Sequence, residues 1–139
     1  MSAVLLDSSV MVALFDDRDR HHMACVSRMR RLPTGSELVT TWPCVTESSY
    51  LLAPRNHLAL LGWLHQGGAR LVNAEAYELG DWMGWMQRYS ELGKALMDLA
   101  DASLVWLAMK ESTTRILTHD HRDFLRYRLP DGQAFEVLA

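Results

Sequence analysis

Apolar and polar positions along this chain follow two regimes: short continuous apolar runs, and longer stretches where apolar residues recur every three or four positions. The first regime reads as buried strands and the second as amphipathic helices. Ala3-Val4-Leu5-Leu6 stops at Asp7, and Ser8 and Ser9 lead into an apolar stretch at 10–15. This is a strand feeding a helix, with Asp7, Ser8 or Ser9 suited to cap it. After the polar break Asp16-Asp17-Arg18-Asp19-Arg20, a second helix is expected from Asp19 or Arg20 to Arg31. Met23, Val26, Met29 and Leu32 form its inner stripe, and Pro33 to Ser36 end it. Glu37-Leu38-Val39-Thr40-Thr41 is the second strand, and Thr41-Trp42-Pro43 opens a helix with proline in its first turn. That helix carries Glu47, with Tyr50 and Leu51 on the same side, which aims the carboxylate towards packed surface.

Pro54 ends or kinks the helix, and residues 56–66 form another, with Leu58, Leu61 and Leu64 on one face and Gly67-Gly68 as its stop. Arg70-Leu71-Val72-Asn73 is a short strand. Residues 74–91 carry Leu79, Trp82, Met83, Trp85, Met86 and Tyr89 at helical spacing, a core or interface face, although Gly80 and Gly84 weaken the helix by about 1 kcal/mol each. Residues 113–118 read as a strand, 122–127 as a short helix, Pro130-Asp131-Gly132 as a turn and 134–138 as a last strand. Strands alternating with helices predict one α/β domain over residues 1–139: a three-layer α/β/α sandwich with a central, mainly parallel sheet. In such sheets ligands bind at the carboxyl ends of the strands, where Asp7 and Asp120 both emerge.

The stretch at 95–109 breaks the amphipathic rule. Twelve of its fifteen residues are apolar and no Gly or Pro interrupts it. A helix apolar nearly all round is buried, yet Asp98 and Asp101 lie three apart on one side of it. Like charges about 5–6 Å apart in a poorly hydrated site repel each other and resist ionisation. A bound cation is the obvious compensation.

Composition narrows the chemistry. Hydrophobic residues make up 49% and charged residues 22%, the balance of an ordinary globular protein. The formal net charge of −3 lacks the basic excess of a dedicated nucleic-acid binder, so any such contact must be a local patch. Two basic groups qualify, Arg28, Arg30 and Arg31, and Arg122, Arg126 and Arg128, with solubilising charge as the plainer role for the first. Cys25 and Cys44 are too few for a disulfide framework or a four-thiolate zinc site and suit a reducing, cytoplasmic setting. No run approaches the ~20 apolar residues that span a bilayer, so no membrane role is expected.

Six acids stand out: Asp7, Glu47, Asp98, Asp101, Asp120 and Asp123. Carboxylates without imidazole or thiolate partners suit a hard cation, Mg²⁺ or Mn²⁺. Such an ion orients and acidifies water and offsets charge building on a phosphate, which makes phosphodiester hydrolysis the natural chemistry. Singly, each has a plainer role: Asp7 and Asp120 as helix caps, Glu47 on a solvated face, Asp123 as a first-turn acid favoured by the helix dipole. His119 and His121 flank Asp120 and invite zinc, but no third nitrogen or sulfur ligand is evident. His21 and His22 are expected on an exposed helix face, and neither cysteine has a triad around it.

Taken together, Val4-Leu5-Leu6-Asp7-Ser8-Ser9, Thr46-Glu47, Asp98-Leu99-Ala100-Asp101-Ala102 and Leu117-Thr118-His119-Asp120-His121-Arg122-Asp123-Phe124 resemble the PIN-domain ribonucleases, particularly VapC-type toxins of bacterial toxin–antitoxin pairs. The resemblance implies a PIN-like fold and a Mg²⁺- or Mn²⁺-dependent endoribonuclease acting on RNA. Its catalytic and metal-binding acids fall on Asp7, Glu47, Asp101 with Asp98 beside it or one shell out, and Asp120. Thr118, Asp123 and Arg122 fall in supporting or substrate-facing positions. It also implies a homodimer and a cognate antitoxin whose tail occupies the groove. The chain departs from the commonest pattern at His119 and His121, which bears on the groove's shape. The competing reading is a non-catalytic PIN-like module that binds RNA or protein. A phosphatase- or receiver-like domain is remote, because no second acid stands beside Asp7 and Lys94 and Lys110 are the only lysines.

Overall fold

An apolar run such as residues 3–6 is stable only if both faces are covered, and the central strand of a sheet provides that. Strand β1 (Ser2–Leu6) occupies this place, with Val4, Leu5 and Leu6 fully buried. In the computed structural model, which describes residues 2–90 and 96–138, β1 lies between β2 (Ser36–Thr41) and β4 (Arg115–Leu117). Strands β3 (Arg70–Val72) and β5 (Glu136–Leu138) form the edges, giving the order β3-β2-β1-β4-β5 with every ladder parallel. Helices cover the sheet in a three-layer α/β/α arrangement, as the alternation of patterns predicts.

The strand order has a functional consequence. The chain runs outward from β1 through β2 to β3, then returns to the other side of β1 for β4 and β5. The order reverses between β1 and β4, and crevices form at such switch points outside the carboxyl ends of the strands. The register pairs Leu6 with Leu117, and the Asp7 amide donates to the Leu117 carbonyl at 3.1 Å. Asp7 and Thr118, the next residues of the two strands, are thereby held side by side.

The helices are α1 (Ser8–Phe15), α2 (His22–Arg30), α3 (Trp42–Leu51), α4 (Pro54–His65), α5 (Leu79–Arg88, after a short 3-10 turn at Ala76–Glu78), α6 (Leu99–Glu111) and α7 (His121–Arg126). Several inward faces differ from those the spacing suggests. Helix α2 buries Cys25 and leaves Met23 76% exposed. Helix α4 opens at Pro54 and buries Leu60, while Leu58 is 64% exposed. In α3 the inward residues are Cys44, Val45 and Ser48, and Tyr50 and Leu51 face outward. In each case two apolar faces compete, and the neighbouring elements, not the period, select one.

The largest correction concerns the buried helix. Ala95 lies outside the described residues, as does Glu91 at the expected end of the preceding helix. Helix α6 begins at Leu99, so Asp98 is its N-cap and not a member of its buried face. The Asp98 carboxylate accepts from the Asp101 amide at 2.8 Å, and the Asp98 carbonyl accepts from Ala102 at 3.0 Å. Aspartate is a preferred N-cap because it satisfies an unpaired amide of the first turn. Asp98 is exposed and Asp101 is buried, so the two acids are not equivalent. From residue 100 to 108 the helix is buried without a break, including Ser103.

Candidate active site

The carboxyl ends of β1 and β4 and the first turns of α6 and α7 converge at the switch point. Asp7 caps α1, and Oδ1 accepts from the Ser8 amide at 2.7 Å. Its other oxygen accepts from the Thr118 hydroxyl at 2.6 Å and the Ser9 hydroxyl at 3.1 Å. Thr118 Oγ1 also accepts from the Asp120 amide at 2.9 Å, and Ser9 Oγ accepts from the His119 amide at 3.0 Å. One hydroxyl network thus fixes Asp7 and the start of the β4–α7 loop together. Across the site, Asp101 Oδ2 accepts from the Tyr127 hydroxyl at 2.7 Å. Glu47 is half-buried and accepts from the Ser8 hydroxyl at 2.6 Å. Its orientation comes from that bond, because the Tyr50 and Leu51 side chains expected to pack beside it are exposed.

Among the described residues, one group of three acids brings its carboxylate oxygens within 4.8 Å of one another: Asp101, Asp120 and Asp123. Asp7 lies outside that trio but within electrostatic reach of Asp101, Asp120 and Glu47. Asp120 occupies the cap position of α7, yet its side chain makes no capping bond. Asp123 is buried and pairs with Arg126 at 3.2 Å, an arrangement beyond that of a simple first-turn acid. Arg122 is exposed. Arg126 also stacks over the Tyr89 and Tyr127 rings, and Arg128 donates to the carbonyls of Leu125 and Tyr127, so neither is merely a solubilising charge.

The electrostatics follow from this crowding. Burial, followed by the charge of Asp98, pushes Asp101 up to about 8. Burial, then the hydrogen bond and charge of Asp123, push Asp120 up to about 6. Burial also raises Asp7, although the bonds from Thr118, Ser8 and Ser9 pull the other way. Burial and mutual repulsion thus hold all three acids above the ordinary carboxylate range.

A family model for the PIN domain matches residues 4–129, nearly the whole chain. The chain belongs to the PIN-domain family. Among solved structures, Mycobacterium tuberculosis VapC20, described as a sarcin-ricin loop cleaving toxin, aligns over 86% of this chain and 93% of its own with a TM-score of 0.72 and 17% identity. VapBC2 from Rickettsia felis, solved bound to a DNA fragment from its promoter, aligns over 99% of both chains with a TM-score of 0.68 and 12% identity. These likenesses establish a shared fold. Among curated proteins no sequence match reaches significance.

The donor set of this PIN domain fits a hard divalent cation. Three carboxylates lie close enough to share an ion, a fourth stands nearby, and the groups that offset burial at Asp7 and Asp101 are hydroxyls and the Ser8 amide. A small dication keeps several waters and takes a few carboxylates, which suits half-buried acids at a crevice. Zinc fits less well. His119 Nε2 lies 2.8 Å from Cys25 Sγ and its ring stacks on His21, but these residues form no three-ligand group among the described residues. A thiol nucleophile is also disfavoured, since burial pushes Cys25 up to about 11.

Sequence reading missed three parts of this PIN site. Tyr127 was only the last residue of an expected short helix, and the fold brings its hydroxyl onto Asp101. Ser8 was one of three candidate caps, whereas it links α1 to Glu47. His21 is not simply on an exposed face but stacks on His119, and His22 Nδ1 contacts the Ala13 carbonyl at 2.7 Å. Thr118, in contrast, sits where the sequence placed it, and its role is testable. Thr118→Val removes the donor to Asp7 and the acceptor for the Asp120 amide while keeping the shape. The expected loss is about 1–3 kcal/mol in urea unfolding, the range for leaving a buried polar group unsatisfied. An unchanged midpoint and slope would show the hydroxyl network to be incidental.

Proposed function

We propose that this PIN domain is a Mg²⁺- or Mn²⁺-dependent endoribonuclease and the toxin of a toxin–antitoxin pair, acting in the cytoplasm as a homodimer. The observation that carries the reading is the convergence of buried and half-buried carboxylates at the switch point, with Asp101, Asp120 and Asp123 oxygens within 4.8 Å. In this reading Asp7, Asp101 and Asp120 hold the cation, with Asp123 completing the set. Glu47, tethered through Ser8, orients or deprotonates a water approaching the phosphate. Asp98 acts through Asp101, whose amide it holds. A divalent cation bound there supplies Lewis acidity to the phosphate and lowers the pKa of water.

The residues around the acids have consistent roles. Thr118 and Tyr127 fix the oxygens of Asp7 and Asp101, which keeps the reacting geometry from relaxing. Arg122, exposed and two residues from Asp120, meets the RNA backbone in this reading. Trp42, Pro43, Thr46, Tyr50, Leu99 and Glu47 border a shallow, largely apolar groove next to the site. An exposed apolar surface of this kind is what an antitoxin segment or a second copy would cover. The antitoxin assignment draws on the Rickettsia VapBC2 assembly and the RNA-cutting assignment on the description of VapC20.

The deciding experiment is incubation of the purified chain with single-stranded and hairpin RNA in Mn²⁺, in Mg²⁺ and in EDTA. Cleavage with free cation and none in EDTA is expected. RNA binding with no cleavage under any cation would instead support a non-catalytic PIN module, and equal cleavage in EDTA would refute the metal assignment.

A further inference from the structure

A cavity of about 340 Å³ lies between α2 and the β4–α7 loop, with Thr118 in its wall. Its walls are apolar, with Val10, Met29 and Leu138 among them. Into them are set a thiol, three imidazoles and a guanidinium: Cys25, His21, His119, His121 and Arg28. The His21 and His119 rings stack at 4.1 Å with 17° between their planes. Cys25 Sγ, 2.8 Å from His119 Nε2, holds that ring in place. Arg28 Nε is buried and has no hydrogen-bond partner.

Nothing in the metal chemistry uses this cluster, and a buried donor without an acceptor calls for an explanation. We propose that the cavity is a nucleobase subsite, which takes one unstacked base of the RNA strand beside the phosphate being cut. This rests on the ribonuclease reading above. Proteins that recognise single-stranded RNA splay a base out, stack it on aromatic or histidine rings and bond its polar edge. The imidazoles in the lining supply flat surface, the apolar walls exclude water from the ring, and the Arg28 guanidinium, also in the lining, supplies donors for a carbonyl or ring nitrogen. The volume is in the range of small-molecule pockets and accepts a flat heterocycle.

Position links the subsite to the cut. Thr118 lines the cavity and donates to Asp7 at 2.6 Å, and His119 and His121 line it from either side of Asp120. In this proposal the base lies next to the acid site, because Thr118, which touches Asp7, is shared by both. The cavity is thus a determinant of which nucleotide flanks the cleavage site. It also accounts for Arg28, for which the sequence left backbone contact and solubilising charge both open, and for the histidines at 119 and 121.

The test is a nuclear magnetic resonance titration of protein labelled in its histidine rings, without divalent cation, using the four nucleoside 5′-monophosphates and ribose 5-phosphate. At least one nucleotide is expected to shift the His21 and His119 ring signals saturably, with ribose 5-phosphate moving neither. Arg28→Ala should weaken that binding about tenfold, the loss of one charge-assisted hydrogen bond. Ala24→Trp, at an exposed position on the cavity rim, should abolish it; thermal midpoints of both variants verify folding. No ring shift with any nucleotide, an equal shift with ribose 5-phosphate, or unchanged binding in a folded Ala24→Trp variant would overturn the subsite. Because this readout needs no cleavage, a chain that binds bases but cuts no RNA defeats the ribonuclease reading alone, and one that cuts RNA without a ring shift defeats the subsite alone.

Discussion

Asp7→Asn is expected to lower Mn²⁺-dependent RNA cleavage by at least about 10²–10³-fold, the loss typical of removing one preorganised electrostatic group from a reacting centre. The substitution exchanges a charged oxygen for an amide and keeps the shape. Oδ1 can still accept from the Ser8 amide, so the cap of α1 survives. The hydroxyls of Ser9 and Thr118, which now donate to Oδ2, can rotate to accept from the amide nitrogen instead. Burial already raises the acid's pKa, so a neutral side chain suits the pocket at least as well. The far-UV spectrum and thermal midpoint should therefore match or exceed those of the parent. Cleavage within about threefold of the parent, by a variant that is folded, would remove Asp7 from the mechanism.

The second large effect is a reversal of the usual pH dependence of stability. Asp101 and Asp120 are raised to about 8 and about 6 in the folded chain, against ordinary carboxylate values when unfolded. Between roughly pH 4 and 8 the folded state therefore holds more protons than the unfolded one, and the stability they contribute falls as pH rises. It is fully present below the unfolded pKa and is lost through the folded values. Metal-free protein should accordingly melt higher at pH 5.5 than at pH 8, and Asp101→Asn should flatten that slope. Cation binding acts in the opposite sense, because it favours the ionised carboxylates. At about 100 times its Kd, Mn²⁺ should add about 2.7 kcal/mol, or roughly 6–10 °C in a chain of this size, at pH 8 and much less at pH 5.5. Differential scanning calorimetry in EDTA and in Mn²⁺ at both pH values decides this. A melt indifferent to Mn²⁺ at pH 8 would refute the cation site.

Both predictions use residues that local pattern had marked, and the reason is physical. A strand buried on both faces must be an unbroken apolar run, so β1 was legible, and the first polar residue after it had to emerge at the carboxyl edge. The same logic located Thr118 and Asp120 after β4. Asp101 was legible because a carboxylate inside an apolar helix conflicts with burial unless something offsets it. Asp98 was misread because helix start is set by which residue leaves the helical backbone, and Ala95 to Leu99 has apolar spacing on either choice. Faces of α2, α3 and α4 were ambiguous for a similar reason: each carries apolar residues on more than one side, and only contact with β-strands and neighbouring helices ranks them.

What the sequence determined alone is therefore the class of fold, the alternation of strands and helices, and a set of acids whose chemistry points to a hard cation. These follow from local periodicity, capping and the high free energy of buried charge, all of which act over a few residues. What only the tertiary structure decided is which atoms meet. Parallel pairing of β1 with β4 sets Asp7 against Thr118, 111 positions apart in the chain. The return of the chain through α7 brings Tyr127 to Asp101 and places Asp123 within the acid trio. The packing of α2 against the β4–α7 loop joins Cys25 to His119 and encloses the cavity beside them. These hydrogen bonds span from 26 to 111 positions, and no local periodicity carries information over such separations.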